Sequence, residues 1–145
     1  RDTVPLISQR GNDMKLFVGL AVVMALAGCS TSPVTVNNAD PVPASRLHAF
    51  SGKSDAKLIV TRDTGLYGSG VNYSIYIDGT LAADFASGEV AAFGIKSGKH
   101  ILGIQPATMF AGTMHEAEID VKPGDLIRRR ISLDGGGFYL TPTNY

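Results

Sequence analysis

The chain has 145 residues, enough for one domain and some tail. Its 13 Lys+Arg and 13 Asp+Glu cancel, which excludes the long-range attraction that nucleic-acid binders and anionic-surface binders rely on. The 17 Gly, without a collagen period, point to many tight turns and an all-β domain.

Residues 1–13 precede the expected start Met14 and are read as an upstream extension of the gene. The alternative is a longer positive leader, since Arg10 and Lys15 are both basic. From Met14 the chain reads Met-Lys, then an apolar run from Leu16 to Ala27, then Gly28-Cys29-Ser30. A short positive start, an apolar stretch and small residues at the end are the three parts of a secretory signal peptide, here 14–28. As a helix the apolar run rises only about 18 Å, too short to span a hydrocarbon core of about 30 Å.

Leu26-Ala27-Gly28-Cys29 resembles the lipobox of bacterial lipoproteins. That resemblance implies a diacylglyceryl group on the Cys29 sulfur, cleavage before Cys29, and further acylation, often palmitate, of the new amino terminus. Leu26, Ala27 and Gly28 would then be the residues the signal peptidase reads. Cys29 is the only cysteine, so it cannot close an internal disulfide, and the fold must stand on packing. One acyl chain binds a bilayer reversibly, at about 0.8 kcal/mol per buried CH₂, and several chains on one residue hold essentially permanently. Ser30 follows the cysteine. By the same resemblance it permits transfer to the periplasmic face of the outer membrane, where Asp would favour inner-membrane retention.

Residues 29–45 are expected to be the lipidated end and a flexible tether. The stretch has three prolines between Ser30 and Ser45, no aromatic residue and no helical period. Sixteen flexible residues would span roughly 20–25 Å. A partner-binding role for this stretch is the alternative reading.

The domain proper is expected over 46–145, as short β-rich runs with turn residues between them. Lys57 to Arg62 reads as a central strand. Gly65 to Gly70 is a glycine-rich loop. Val71 to Asp78 alternates, with Val71, Tyr73, Ile75 and Ile77 on one face. Asp78-Gly79 signals a type I′ hairpin, and Thr80 to Phe85 returns. Glu89 to Ile95 and Lys99 to Gln105 follow. Thr113 to Val121 and Leu126 to Leu133 come next, around Pro123-Gly124. Gly135-Gly-Gly137 separates them from a last strand, Phe138 to Thr141. Seven or eight such strands predict a small antiparallel β-sandwich of the immunoglobulin type or a small barrel.

The Pro123-Gly124 turn is expected to close a hairpin with a longer loop or a bulge. That register pairs Asp120 with Arg128 and Glu118 with Arg130 outside, and Val121 with Ile127 and Ala117 with Ile131 inside. It leaves Arg129 pointing inward, either at a rim with its head in water or against a buried acid or ligand.

The segment Thr61-Arg-Asp-Thr-Gly-Leu-Tyr-Gly-Ser-Gly-Val-Asn-Tyr-Ser-Ile-Tyr-Ile-Asp-Gly-Thr80, with Gly88-Glu-Val-Ala-Ala-Phe and Gly98-Lys-His-Ile-Leu, resembles a family of bacterial lipoproteins with a PEGA-like β-sandwich domain. Ser97 stands where PEGA domains usually have proline. The resemblance covers roughly residues 57 to 105 and implies a surface or envelope role, with no chemistry that carries over to these residues.

No catalytic residue, metal site or cofactor is expected. His48, His100 and His115 lack a second ligand at metal spacing. Gly68-Ser69-Gly70 lies between strands rather than before a helix, so it is not a nucleophile elbow. The Gly65 to Gly70 loop has no Gly-Lys-Ser/Thr, so it is not a phosphate loop. Asp78 and Asp84 could pair as glycosidase carboxylates, although the turn already explains Asp78. Glu116, Glu118 and Asp120 share one strand face, as solvated stripes commonly do. Arg128, Arg129 and Arg130 form the basic cluster, a candidate for phosphate, glycan or headgroup binding. Two functions follow. One is a non-catalytic envelope module, held on the bilayer through acylated Cys29, that binds a protein or glycan partner. The alternative is a cell-envelope hydrolase acting on glycan or lipid.

Overall fold

The structure is a computed structural model, and it describes residues 31–108 and 112–145. The cleavage residues Leu26, Ala27 and Gly28, and Cys29 itself, lie outside the described residues.

In chain order the elements are β1 (Asp40–Pro41), a 3₁₀ turn (Ala44–Arg46), β2 (Ala56–Arg62), β3 (Tyr73–Ile77), β4 (Thr80–Phe85), β5 (Glu89–Ile95), β6 (Gly98–Pro106), β7 (His115–Val121), β8 (Leu126–Asp134) and β9 (Gly137–Pro142). They form a β-sandwich of nine strands, with one sheet in the order β1-β5-β2-β8-β9 and the other β4-β3-β6-β7. Most neighbours are antiparallel. The exceptions are β1 with β5 and β2 with β8, which run parallel.

Alternation makes the core. Leu58 and Val60 of β2, Ile75 and Ile77 of β3, Phe93 of β5, Leu102 and Ile104 of β6, and Ile131 of β8 are all buried between the sheets. As its β-branched run implies, β2 sits in the middle of its sheet. Asp78 and Gly79 both take positive φ, at 51° and 77°, so the β3–β4 hairpin is the type I′ turn the dipeptide predicts. A bulge between Ile75 and Tyr76 in that pair brings Ala82 and Ala83 both into the interior.

Two expectations are corrected. Pro123-Gly124 does not close a hairpin. The Asp125 amide donates to Lys122 O at 3.1 Å and Gly124 takes φ 85°, a type II turn with Pro first and Gly second. Turns of that type splay the flanking strands. Accordingly β7 pairs with β6 in one sheet, while β8 crosses to the other and lies parallel to β2. The expected Asp120–Arg128 and Glu118–Arg130 pairs do not form, and Glu118 meets Lys99 at 2.8 Å instead.

The second correction concerns the stretch read as a flexible tether. Its described part, from Thr31, runs along the sandwich. Thr31 N donates to Leu133 O at 3.0 Å, and Ser32 bridges Thr64. Val34 and Val42 are buried, and β1 adds two residues to the sheet edge. Two isolated valines give no periodic signal in the sequence. Each nonetheless removes apolar surface from water at a sheet end or edge, and that offsets the ordering of the chain.

Candidate functional site

The arginine run lies on β8 beside β2, with Arg128 opposite Ile59, Arg129 opposite Val60 and Arg130 opposite Thr61. Alternation therefore sends Arg129 to the inner face, where Val60 is buried, and its neighbours to the outer one. The three side chains do not form one patch. Arg129 reaches the open side of the sandwich between β7 and β8, a groove of about 680 Å³ lined in part by Ile119, Pro142 and Tyr145. Its Nη1 donates to Arg128 O at 3.1 Å, and among the described residues no carboxylate bonds it. Burial pulls its guanidinium below the ordinary value. Arg129 thus lies at a rim, and no buried acid meets it among the described residues.

Another cluster of charge lies deeper, at the end of the sandwich where β2 and β8 terminate. Arg62 and Asp63 are each only 1% exposed. Arg62 continues the inward phase of Leu58 and Val60. It donates to Phe85 O at 2.6 Å and to Gly68 O at 2.7 Å, and its guanidinium lies 4.8 Å from the Tyr73 ring centroid. Burial lowers its affinity for a proton, with Tyr73 and Glu89 acting the other way. Arg62 Nε finds no partner among the described residues.

Asp63 faces the opposite way. Its Oδ2 accepts from Thr31 Oγ1 at 3.1 Å and stands 3.5 Å from Arg130 Nη2, while Oδ1 is buried without a partner. Burial raises the carboxyl above its ordinary range and outweighs both the Arg130 charge and the Thr31 hydrogen bond. Glu89 closes the far side of the cluster. It accepts from Arg46 through both oxygens, at 2.7 Å for Nη1 to Oε2, and from the Ala86 amide at 2.7 Å. These groups tie three loops and the Thr31 strand end together.

Arg62, Asp63, Glu89 and Thr31 are the residues that sequence reasoning passed over. A signal for Arg62 existed: counting alternate residues from Leu58 through Val60 places it inward.

Two of the histidines, His48 and His100, have carboxylate partners, while His115 stacks on the Phe138 ring at 4.5 Å between centroids. His100 Nδ1 meets Asp78 Oδ2 at 2.6 Å and its Nε2 meets Lys96 O at 2.9 Å. Burial alone would raise the Asp78 carboxyl. The His100 hydrogen bond, the Ile101 amide and the His100 charge together bring it below the ordinary value. Ser74 Oγ donates to Asp84 Oδ1 at 2.5 Å, and Asp84 Oδ2 meets His48 Nε2 at 2.9 Å. A serine nucleophile needs its hydroxyl on the imidazole, with the acid behind it. Here the acid stands between the two, so the hydroxyl meets the carboxylate and has no contact with the imidazole. Asp78 and Asp84 serve different partners, and the register sets Asp84 opposite Ser74, four residues before Asp78. Among the described residues, no three His, Cys, Asp or Glu side chains are placed to share a metal ion. The concavities are open grooves. One of about 590 Å³ lies where the 51–57 segment passes Phe93 and Gly124–Leu126.

The chain matches no family model and no characterised protein.

Proposed function

We propose that this protein is a bacterial lipoprotein, cut before Cys29, acylated there and held on the periplasmic face of the outer membrane. Its β-sandwich serves as a non-catalytic binding or assembly module for an envelope protein or glycan. The carrying observation is the order of parts from Lys15 to Cys29: positive charge, an apolar run too short to span, two small residues and the sole cysteine. The resemblance of residues 57 to 105 to a family of lipoproteins with PEGA-like domains points the same way. Support for a binding rather than a catalytic module comes from the open grooves and from the Ser74–Asp84–His48 order, which keeps the serine off the imidazole.

The test is Cys29→Ala in a two-membrane host fed an alkyne-bearing palmitate. The parent chain takes up label, loses the mass of its leader and sediments with outer membranes. The variant stays unlabelled and uncut. A variant that matured to normal mass in the outer membrane would sink the anchoring proposal. In-cell crosslinking of the lipidated chain tests the binding half: an enriched protein or glycan supports it. Hydrolysis of envelope glycan or lipid by the purified domain overturns it.

A further inference from the structure

One residue, Ser30, separates Cys29 from the end of the sandwich, because Thr31 is fixed there by Leu133 and Asp63. A trans peptide advances at most 3.8 Å between Cα atoms, so the Cys29 Cα lies within about 8 Å of Thr31. Whatever surface holds Cys29 therefore touches, or nearly touches, this end of the domain.

The chemistry of the two ends differs. At the Thr31 end are the loop from Thr64 to Asn72, the Ala86–Gly88 turn with Asp40 bonded to Gly88 O, and the Asp134–Gly137 turn, and among these residues Asp40 and Asp134 alone carry a formal charge. The opposite end carries Lys53, Asp55, Asp78, Lys96, Lys122 and Asp125, joined through contacts such as Asp55 with Ser97 and His100 with Asp78. The most exposed large apolar side chain of the described residues is at the Thr31 end. Leu66 is 95% exposed, and Tyr67 beside it is 39% exposed.

The loop that carries them is built in place. Its Gly68 carbonyl accepts from the buried Arg62, and Gly68 lies so close to Leu133 that a Cβ there would come within 2.3 Å of Leu133 Cδ2. Ser69 Oγ closes the loop on Leu66 O at 3.0 Å. The Ser32–Thr64 bridge puts its first residue against the strand end that leads to Cys29.

We infer that the Gly65–Gly70 loop is a second membrane contact, with Leu66 inserted into the bilayer interface and Tyr67 at headgroup level. The domain stands end-on with the Lys53–Asp78–Asp125 end toward water. This inference rests on the anchoring proposed above. Entry of this end removes apolar surface from water and desolvates few charged groups, whereas entry of the other end would strip six. The occupant is lipid through apolar contact, because no lysine or arginine in these loops would attract an anionic headgroup.

The experiment uses the full lipidated chain in vesicles of phosphatidylethanolamine and phosphatidylglycerol. A polarity-sensitive fluorophore is placed through Leu66→Cys, or through Lys53→Cys at the opposite end, Cys29 being blocked by its lipid. The position-66 probe is expected to shift to the blue and to lose at least half its intensity to a shallow lipid-borne quencher, unchanged by 0.5 M salt. The position-53 probe should stay water-like. A water-like probe at 66, or equal quenching at both positions, overturns the inference. Intact mass reads the anchoring separately: a lipidated chain with a water-like 66 defeats this contact alone, and a chain without lipid mass defeats both.

Discussion

Thr31 and Asp63 lie 32 residues apart in the chain and are joined by a 3.1 Å hydrogen bond at the buried end of the sandwich. The same hydroxyl accepts from the Leu133 amide at 2.9 Å, so one side chain serves both central strands. Thr31→Ala should cost about 1–2 kcal/mol, from lost hydrogen bonds and an amide left without its partner. Urea unfolding measures it, and limited proteolysis should show faster cutting between Ser32 and Pro43. An unchanged midpoint would mean that the strand end does not hold this segment.

Asp63 has a pH signature. Its folded carboxyl is raised above the ordinary value of about 3.9, so in the window just above that value the folded state keeps a proton that the unfolded state has released. Stability should therefore fall as pH rises through this window. Asp78, lowered in the fold, acts oppositely, and its contribution is lost as pH falls through its folded value. Asp63→Asn should remove the first trend and leave the second. Urea midpoints between pH 3 and 7 check this, and a variant whose acid-side curve overlays the parent's would contradict it.

Gly94 on β5 receives the 50–54 segment, donating its amide to Phe50 O at 2.8 Å. A Cβ there would lie 1.9 Å from Gly52 O, a backbone atom that cannot rotate away. Gly94→Ala should destabilise by about 1–3 kcal/mol as that segment lifts. Gly70→Ala, with nothing within 4 Å and no positive φ, should stay within about 0.5 kcal/mol. Thermal denaturation of the pair checks it; equal effects would place the 50–54 segment elsewhere.

Arg62 and Arg129 both lie on inward phases of neighbouring strands, yet they should respond differently to loss of charge. Arg62→Met leaves two carbonyls, Phe85 O and Gly68 O, without their donors, at about 1–3 kcal/mol for a buried group. Arg129→Met removes a partly desolvated cation whose one bond is to the adjacent carbonyl, and stability should hold or rise. Chemical denaturation separates the cases. A large loss at Arg129 would show that its groove holds a partner for it.

Much of the fold was legible because β-branched alternation and turn chemistry agree from Ala56 to Gln105. Asp78-Gly79 carried its turn type in the dipeptide, and the inward phase of Arg129 followed from counting. Pro123-Gly124 misled because a turn signal marks a reversal without saying which sheet the chain enters next. That choice rests on the type II geometry and on the edge that β2 leaves open. The Thr31 segment was opaque because Val34 and Val42 read as isolated residues, and their burial depends on surfaces formed by distant strands. The Arg62–Asp63 cluster was hidden for a related reason. Adjacent opposite charges read as a solvated strand end, and only the loops that fold over them exclude water.

The parallel pairing of β2 with β8 also sets an order of events in time. Lys57 lies beside Leu126 and Arg62 beside Ile131, so the middle of the larger sheet joins the early and late parts of the chain. Loop closure over such a separation must precede the contacts that reward it, which makes this pairing slow. A chain that emerges amino end first, from a ribosome or through a membrane pore, can form the β3–β4 hairpin early. It cannot close its larger sheet until β8 has emerged. Until then β2 offers hydrogen-bonding groups on the side that β8 will occupy, which is the interval in which a holding chaperone would find it. A chain stopped before Leu126 should remain protease-sensitive throughout.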